Sequence, residues 1–355
     1  MRQIALTSMM ALGLLACSEA EAPEAFEPPV WTLEQSSLFP ENGGLTHAED
    51  GVVLPDGTLL VGDFEHGLLE IAPDGSTSPF GDFAAAGYES APSPDRGGPN
   101  GISFEPDGRH VLVADIFTGA IYRVDSVTAE ITLIYDHPYG VNSAVRDSSG
   151  TIWFTQSTKN PGGEGSEERM FEAVFTRMGD GALFRLSAEE LANDDPVAEE
   201  VLSGLHFANG IALDEDRGAL YVNELLANRV LGFSIDVAAG RLGEQRVIAD
   251  VTTPDNVELD EDGRLWVTSP IANEVVLVDP ESGESWKVFA PSADTSAEIA
   301  AEWRRLLDEG QSPQALLGPE MSGPMPGILT GVILSPGNGP VYVSGLGDAL
   351  VMLPR

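Results

Sequence analysis

Glu49, Asn142, Asn209, Asp255 and Asn256 are the residues whose types and placing suggest joint chemistry. Each stands just ahead of an apolar run, as do Asp50 and Asn100. Their donors are carboxylate and amide oxygens, with no Cys or His among them, which suits a hard cation. Calcium takes about six to eight oxygens in irregular geometry, whereas magnesium holds a stricter octahedron and more water. The sequence therefore leads us to expect a divalent cation, calcium or magnesium, held by Glu49, Asn142, Asn209, Asp255 and Asn256. Water or substrate would complete the shell. Taken singly, an Asn or Asp before a strand, above all in Asn-Gly, is an ordinary turn residue. The inference rests on recurrence.

The elements that must gather these side chains are repeated units. AEDGVVLPDGTLLVGDFEHGLLEIAPDG (48–75) and PNGISFEPDGRHVLVADIFTGAIYRVD (99–125) share apolar runs around a Pro-Asp-Gly turn. VNSAVRDSSGTIWFTQST (141–158) resumes at 179–187 after an insertion, two more units occupy 205–270, and LTGVILSPGNGPVYVSGLGDALVMLP (329–354) is the sixth. Alternating apolar runs joined by acidic Gly turns predict antiparallel strands. Six copies of one turn grammar predict an all-β, six-bladed β-propeller with short helical insertions. A β-sandwich does not predict the repetition. Each unit supplies three strands clearly and a fourth less so, and an early strand near Val30–Leu38 would complete the last blade. In a ring, the residues ahead of the innermost strands meet at one end of the axis.

Two insertions carry helical spacing. Ser166–Met178 places Met170, Phe171, Val174, Phe175 and Met178 on one side. Thr295–Glu309 opens with a capping box, Thr295 to Glu298, and aligns Ile299, Trp303, Leu306 and Leu307. They either pack on the propeller surface or shape a lid, within insertions 159–180 and 284–326. Trp153 and Trp266 read as core, and His66 as part of a surface hairpin.

The 355 residues carry 57 acidic and 18 basic side chains, a formal net charge of −39. That opposes binding to nucleic acid or an anionic membrane surface and reads first as a solvated acidic surface. Cys17 is the one cysteine, so no intrachain disulfide forms. Arg2 and an apolar run ending Leu14-Leu15-Ala16-Cys17 read as a short signal-peptide core, too short to span a bilayer. The ending resembles the bacterial lipoprotein box, in which the cysteine is lipidated. Residues 1–16 are thus expected to be a signal peptide, 17–29 an acidic Pro-rich tether, and 30–355 one propeller domain. The expected place is the cell envelope, anchored through Cys17 and facing the periplasm, with a monomer as the expected state.

Ala-Glu-Asp at 48–50, Val-Asn at 141–142, Phe-Ala-Asn-Gly at 207–210, Asp-Asn at 255–256 and NELLANRVLGF at 223–233 resemble the paraoxonase pattern. WFTQSTKN (153–160) and Pro-Asp-Asn (254–256) look like strictosidine-synthase-like chains. Glu49, Asn142, Asn209 and Asp255 are similar to the metal site of the gluconolactonase (SMP-30) type. The resemblance to this superfamily of six-bladed propellers covers about 45–280. It implies an axial catalytic cation, usually calcium, and hydrolysis of small-molecule lactones or esters, with Asp255 as the base; Glu49 is the second candidate on its own chemistry. The paraoxonase His pair corresponds here to Asn100 and Asp115. One acidic position of that group's second calcium corresponds to Ser143, so a single ion is expected. Asn100 would orient substrate. His206, three residues before Asn209, is either a base or substrate contact or a packed histidine. The alternative is a non-catalytic propeller that binds a ligand or protein, with a structural ion. No nucleophile elbow, P-loop or zinc spacing is present.

Overall fold

The computed structural model describes residues 26–318 and 321–355. The readings on residues 1–25, Cys17 among them, lie outside the described residues. Strand β1 is Ser37–Phe39. The first blade then runs β2 (Gly51–Val53), β3 (Leu59–Asp63), β4 (Gly67–Ile71) and β5 (Thr77–Pro79). The second has β6 (Pro99–Phe104), β7 (His110–Asp115), β8 (Ala120–Asp125) and β9 (Ile131–Asp136). The third has β10 (Ala144–Arg146), β11 (Ile152–Gln156), β12 (Gly181–Leu186) and β13 (Glu199–Leu205). The fourth has β14 (Ala208–Asp214), β15 (Ala219–Glu224), β16 (Arg229–Asp236) and β17 (Arg241–Asp250). The fifth has β18 (Val257–Leu259), β19 (Leu265–Ser269), β20 (Glu274–Val278) and β21 (Ser285–Phe289); the sixth has β22 (Leu329–Leu334), β23 (Val341–Gly345) and β24 (Leu350–Leu353). Each blade is a four-stranded antiparallel sheet, the sixth completed by β1. The chain is a six-bladed β-propeller.

Ring closure differs in detail from the sequence expectation. Ser37, Leu38 and Phe39 pair with Met352, Val351 and Leu350, so β1 does complete the last blade. Trp31 instead forms a parallel bridge to Phe289 of the fifth blade. Its indole Nε1 donates to the Pro354 carbonyl at 2.6 Å. Segment 31–39 therefore ties two neighbouring blades to the C-terminal end.

The turns follow their sequence chemistry. Asp56 Oδ1 accepts from the Thr58 amide at 3.0 Å, and Asp107 Oδ1 from the Arg109 amide at 2.9 Å, the side-chain turn that Asp favours. Two blades also share an Asp–Trp tie, Trp153 Nε1 to Asp147 at 2.9 Å and Trp266 Nε1 to Asp260 at 3.1 Å. Both indoles are core, as their runs suggested.

Burial along the strands is not alternating. β3, β11, β19, β20 and β23 are buried at every residue, because each blade is covered on both faces by its neighbours. Six apolar clusters fill the six inter-blade seams. A seventh lies over one end of the ring. It joins Met170, Phe175, Phe207, Leu225, Ile271 and Trp303.

The seventh cluster joins the helical insertions to loops of the blades. Helix α1 is Ser166–Ala173, shorter than its spacing predicted, with a short α2 at Ala188–Leu191 and α3 at Ala293–Asp308. Helix α3 starts earlier than the proposed Thr295 box; Ser292 is its N-cap and no side chain caps it. Its buried stripe is Ser296, Ala300, Trp303 and Leu307, the spacing of one helix face. Arg177 links the two insertions, donating to the Leu226 carbonyl at 2.7 Å and pairing with Asp308 at 3.0 Å. Among the described residues no helix is long and apolar enough to cross a membrane.

Candidate active site

One residue from each blade's inner strand or its approach faces a common cavity of about 290 Å3: Glu49, Asn100, Asn142, Asn209, Asp255 and Thr330. All six are buried. The Gly that follows four ring positions explains part of the repeat. Gly51 comes after the Glu49-Asp50 pair, while Gly101, Gly210 and Gly331 come directly after Asn100, Asn209 and Thr330. A Cβ at Gly101 would sit 2.6 Å from Ser143 Cα, at Gly210 2.7 Å from the Val257 amide, and at Gly331 2.6 Å from the Glu49 carbonyl. None of these glycines has positive φ. Here Asn-Gly is not a turn signal: glycine lets neighbouring inner strands approach near the axis.

The ring backbones are clamped from the preceding blade. Thr155 Oγ1 donates to the Asn209 carbonyl at 2.6 Å, Asn223 Nδ2 to the Asp255 carbonyl at 2.7 Å, and Ser344 Oγ to the Glu49 carbonyl at 2.6 Å. Thr268 Oγ1 does the same for Thr330. The donors come from β11, β15, β23 and β19. A second regularity lies two residues before three of the ring positions. His47, Phe207 and Thr253 have φ of 62°, 63° and 43° and all line the cavity. Left-handed backbone at bulky or β-branched residues is costly and concentrates at functional sites.

The side-chain oxygens are short of partners. Asn209 Oδ1, Asp255 Oδ1, Asn256 Oδ1 and both polar atoms of Asn100 are buried with no hydrogen bond. Asn142 Oδ1 accepts from Ser143 Oγ at 3.0 Å. Buried polar atoms without partners are rare in folded proteins, and here they gather with three carboxylates. Burial, then the charge of Glu49, pushes Asp255 well above the ordinary carboxylate range, while a hydrogen bond from Asn209 opposes this. Burial likewise pushes Asp50 up to about 8, against backbone hydrogen bonds from Ile102 and Gly51. A floor of orphaned oxygens with concentrated negative charge fits a hard cation.

Four of the five residues read as ligands line the cavity: Glu49, Asn142, Asn209 and Asp255. Asn256 does not; its Nδ2 lies 3.5 Å from the Glu49 carbonyl. Asn100 faces the cavity, as a substrate-orienting residue would. His206 is not among the lining residues. Its amide donates to Glu224 at 2.8 Å and its carbonyl accepts from Leu226. The left-handed turn at Phe207 presents that ring to the cavity instead. Asp115 does not line it either, and caps a turn by accepting from the amides of Gly98, Phe117 and Thr118. His66 lies on the β3–β4 turn, held by Asp63 at 2.8 Å.

Two site residues escaped the sequence reading. His47 Nε2 meets Glu49 Oε2 at 2.8 Å and its ring stacks on Phe64 at 3.9 Å. Thr330 opens the sixth unit just where Asn100-Gly101 and Asn209-Gly210 stand in theirs, and Leu329-Thr330-Gly331 was the signal for it. Elsewhere, Glu105, Asp107 and His110 bring ligand atoms within 4.8 Å of one another. Arg123 and Arg146 each pair with Glu105 at 2.8 Å, and Asp107 holds His110 at 2.6 Å. Arginine already supplies the positive charge there.

Known proteins share this architecture and part of this sequence. The family model described as SMP-30/Gluconolactonase/LRE-like region matches residues 121–300. The chain belongs to this family. A strictosidine synthase-like protein of Arabidopsis thaliana is 28% identical over 179 residues, which is 48% of this chain and 41% of that protein. A gluconolactonase of Zymomonas mobilis is 27% identical over 191 residues, 49% of each. The matched region thus spans about half or less of these curated relatives. Among solved structures, a gluconolactonase from Xanthomonas campestris superposes with a TM-score of 0.59 at 18% identity, covering 88% of this chain and 87% of that one. A calcium-binding regucalcin from Agrobacterium tumefaciens gives 0.59 at 14% identity, covering 93% and 98%. At those identities the likeness is one of fold. The family membership places the chain with lactonase-like propellers.

Proposed function

We propose that this protein is a calcium-dependent hydrolase of small-molecule lactones or esters. The observation that carries the reading is the ring of Glu49, Asn100, Asn142, Asn209, Asp255 and Thr330 on one cavity, with orphaned oxygens on three of them. Glu49, Asn142, Asn209 and Asp255 would hold the ion, with Asn256 beside them. When bound, a divalent cation supplies Lewis acidity to a carbonyl and acidifies water.

The chain's own residues do the rest. Asp255 takes the proton of the attacking water on Oδ1, the carboxylate oxygen that has no hydrogen-bond partner. Glu49 is the second candidate, its Oε2 held by His47. Asn100 offers an unpartnered amide Nδ2 to a substrate oxygen. The apolar roof lowers the polarity around the reacting carbonyl, which strengthens the polar contacts on the floor. Naming of relatives as gluconolactonase and regucalcin supports the lactone and the calcium.

The test is hydrolysis of lactones and aryl esters with calcium, with chelator, and after calcium is restored. Loss with chelator and recovery with calcium is expected. A folded, calcium-binding protein inactive on the whole panel leaves the non-catalytic binding propeller as the better account. We further infer that Cys17 is lipidated and the propeller faces the periplasm, on the strength of Leu14-Leu15-Ala16-Cys17.

A further inference from the structure

The cavity above the ring has a polar floor and apolar walls. Phe64, Phe117, Met170, Phe175, Ile271 and Trp303 form much of the wall. Among the wall's polar groups the Trp303 indole Nε1 is a buried donor without a partner, while three others are already engaged. Glu167 pairs with Arg96 at 2.7 Å, His47 with Glu49 at 2.8 Å, and Thr253 Oγ1 accepts from the Ile271 amide at 3.3 Å. Much of this wall comes from the helical insertions rather than from the blades. Met170 belongs to α1, Phe175 follows it, and Trp303 belongs to α3, with the Phe175 and Trp303 rings 5.7 Å apart. The mouth continues the same chemistry, since Phe171 and Leu346 line the cavity and are 49% and 45% exposed.

A polyhydroxylated lactone needs a hydrogen-bond partner for each hydroxyl it buries, and these walls would leave most of them without one. An alkyl or aryl body needs only contact, and the walls supply it. The volume, about 290 Å3, lies at the small end of ligand pockets, roughly 300–1,000 Å3. Resting on the hydrolase reading above, we propose that the substrate is a lipophilic lactone or ester, its carbonyl on the Glu49–Asp255 floor and its alkyl or aryl body under α1 and α3, and not a sugar lactone.

The experiment uses the folded protein with added calcium. It compares a homologous series from γ-butyrolactone to γ-decalactone with D-glucono-1,5-lactone, each repeated with chelator. We expect kcat/KM to rise about fourfold per added methylene until the cavity is filled. We expect the sugar lactone to lie about a hundredfold or more below the best alkyl lactone. Phe175→Ser should flatten the chain-length slope. Should that variant fail to fold, Val174→Ser, on a half-buried wall residue, serves instead. A chelator-sensitive preference for gluconolactone, or an unchanged slope in a folded variant, overturns the substrate class and leaves the hydrolase reading standing. Activity on none of these compounds and on no aryl ester overturns the hydrolase reading, and binding to Asp255→Asn protein, followed by tryptophan fluorescence, then decides the class alone. Saturable binding of γ-decalactone but not of gluconolactone supports it; the reverse, or neither, sinks it.

Discussion

His47 Nε2 and Glu49 Oε2 lie 2.8 Å apart, the imidazole stacked on Phe64 and its backbone in the left-handed region at φ 62°. One Glu49 oxygen is thereby fixed while the carboxylate still faces the cavity. Partners that orient a ligating carboxylate typically contribute 10–100-fold in metal affinity or activity. We expect His47→Ala to weaken calcium binding by about that factor, read by isothermal titration, with a smaller loss for His47→Asn.

Asp255→Asn keeps the shape of the ring and removes the proposed proton acceptor. Turnover should fall by roughly 10²–10⁴-fold, the usual contribution of a positioned base. Thermal melting with calcium should still show an ion-dependent rise. Near-normal turnover in this variant would move the base to Glu49.

Asp50 links the site to pH. Its folded-state value, about 8, is raised above the ordinary 3.8 by burial. Between those values the folded chain holds a proton that the unfolded chain has released, so stability falls as pH rises through that window. Melting of chelated protein from about pH 4 to 8 should show the fall. Calcium should flatten it by stabilising the ionised carboxylates, and Asp50→Asn should reduce it. A chelated protein that gains stability over that range contradicts the assignment.

Thr155→Val removes the donor to the Asn209 carbonyl with little change in volume. Leaving a buried acceptor unsatisfied costs about 1–3 kcal/mol, measurable by urea unfolding. A matching loss of calcium affinity is expected, because the clamp holds a proposed ligand's backbone.

At the N-terminus, Cys17→Ala should abolish incorporation of labelled palmitate in a bacterial host and release the protein from the membrane fraction. Labelling that persists in this variant would remove the lipoprotein assignment.

By itself, the sequence determined the repeat and hence the ring. Pro-Asp-Gly at 55–57 and 106–108, and the Asn-Gly pairs at 100–101 and 209–210, are local signals whose spacing counts blades. Counting them also marked Glu49, Asn142, Asn209 and Asp255, since rotational repetition carries equivalent positions to one axis. Only the tertiary structure decided what stands beside those four. Thr155, Asn223, Thr268 and Ser344 look like ordinary strand residues until the neighbouring blade brings a carbonyl to each. His206 and Phe207 are adjacent in the chain, and the left-handed turn at Phe207, not residue type, chose which one faces the cavity. The roof was undecided for the same reason. Helical spacing shows that α1 and α3 have an apolar face, but what that face covers depends on where loops return across the ring, a long-range choice no local pattern records.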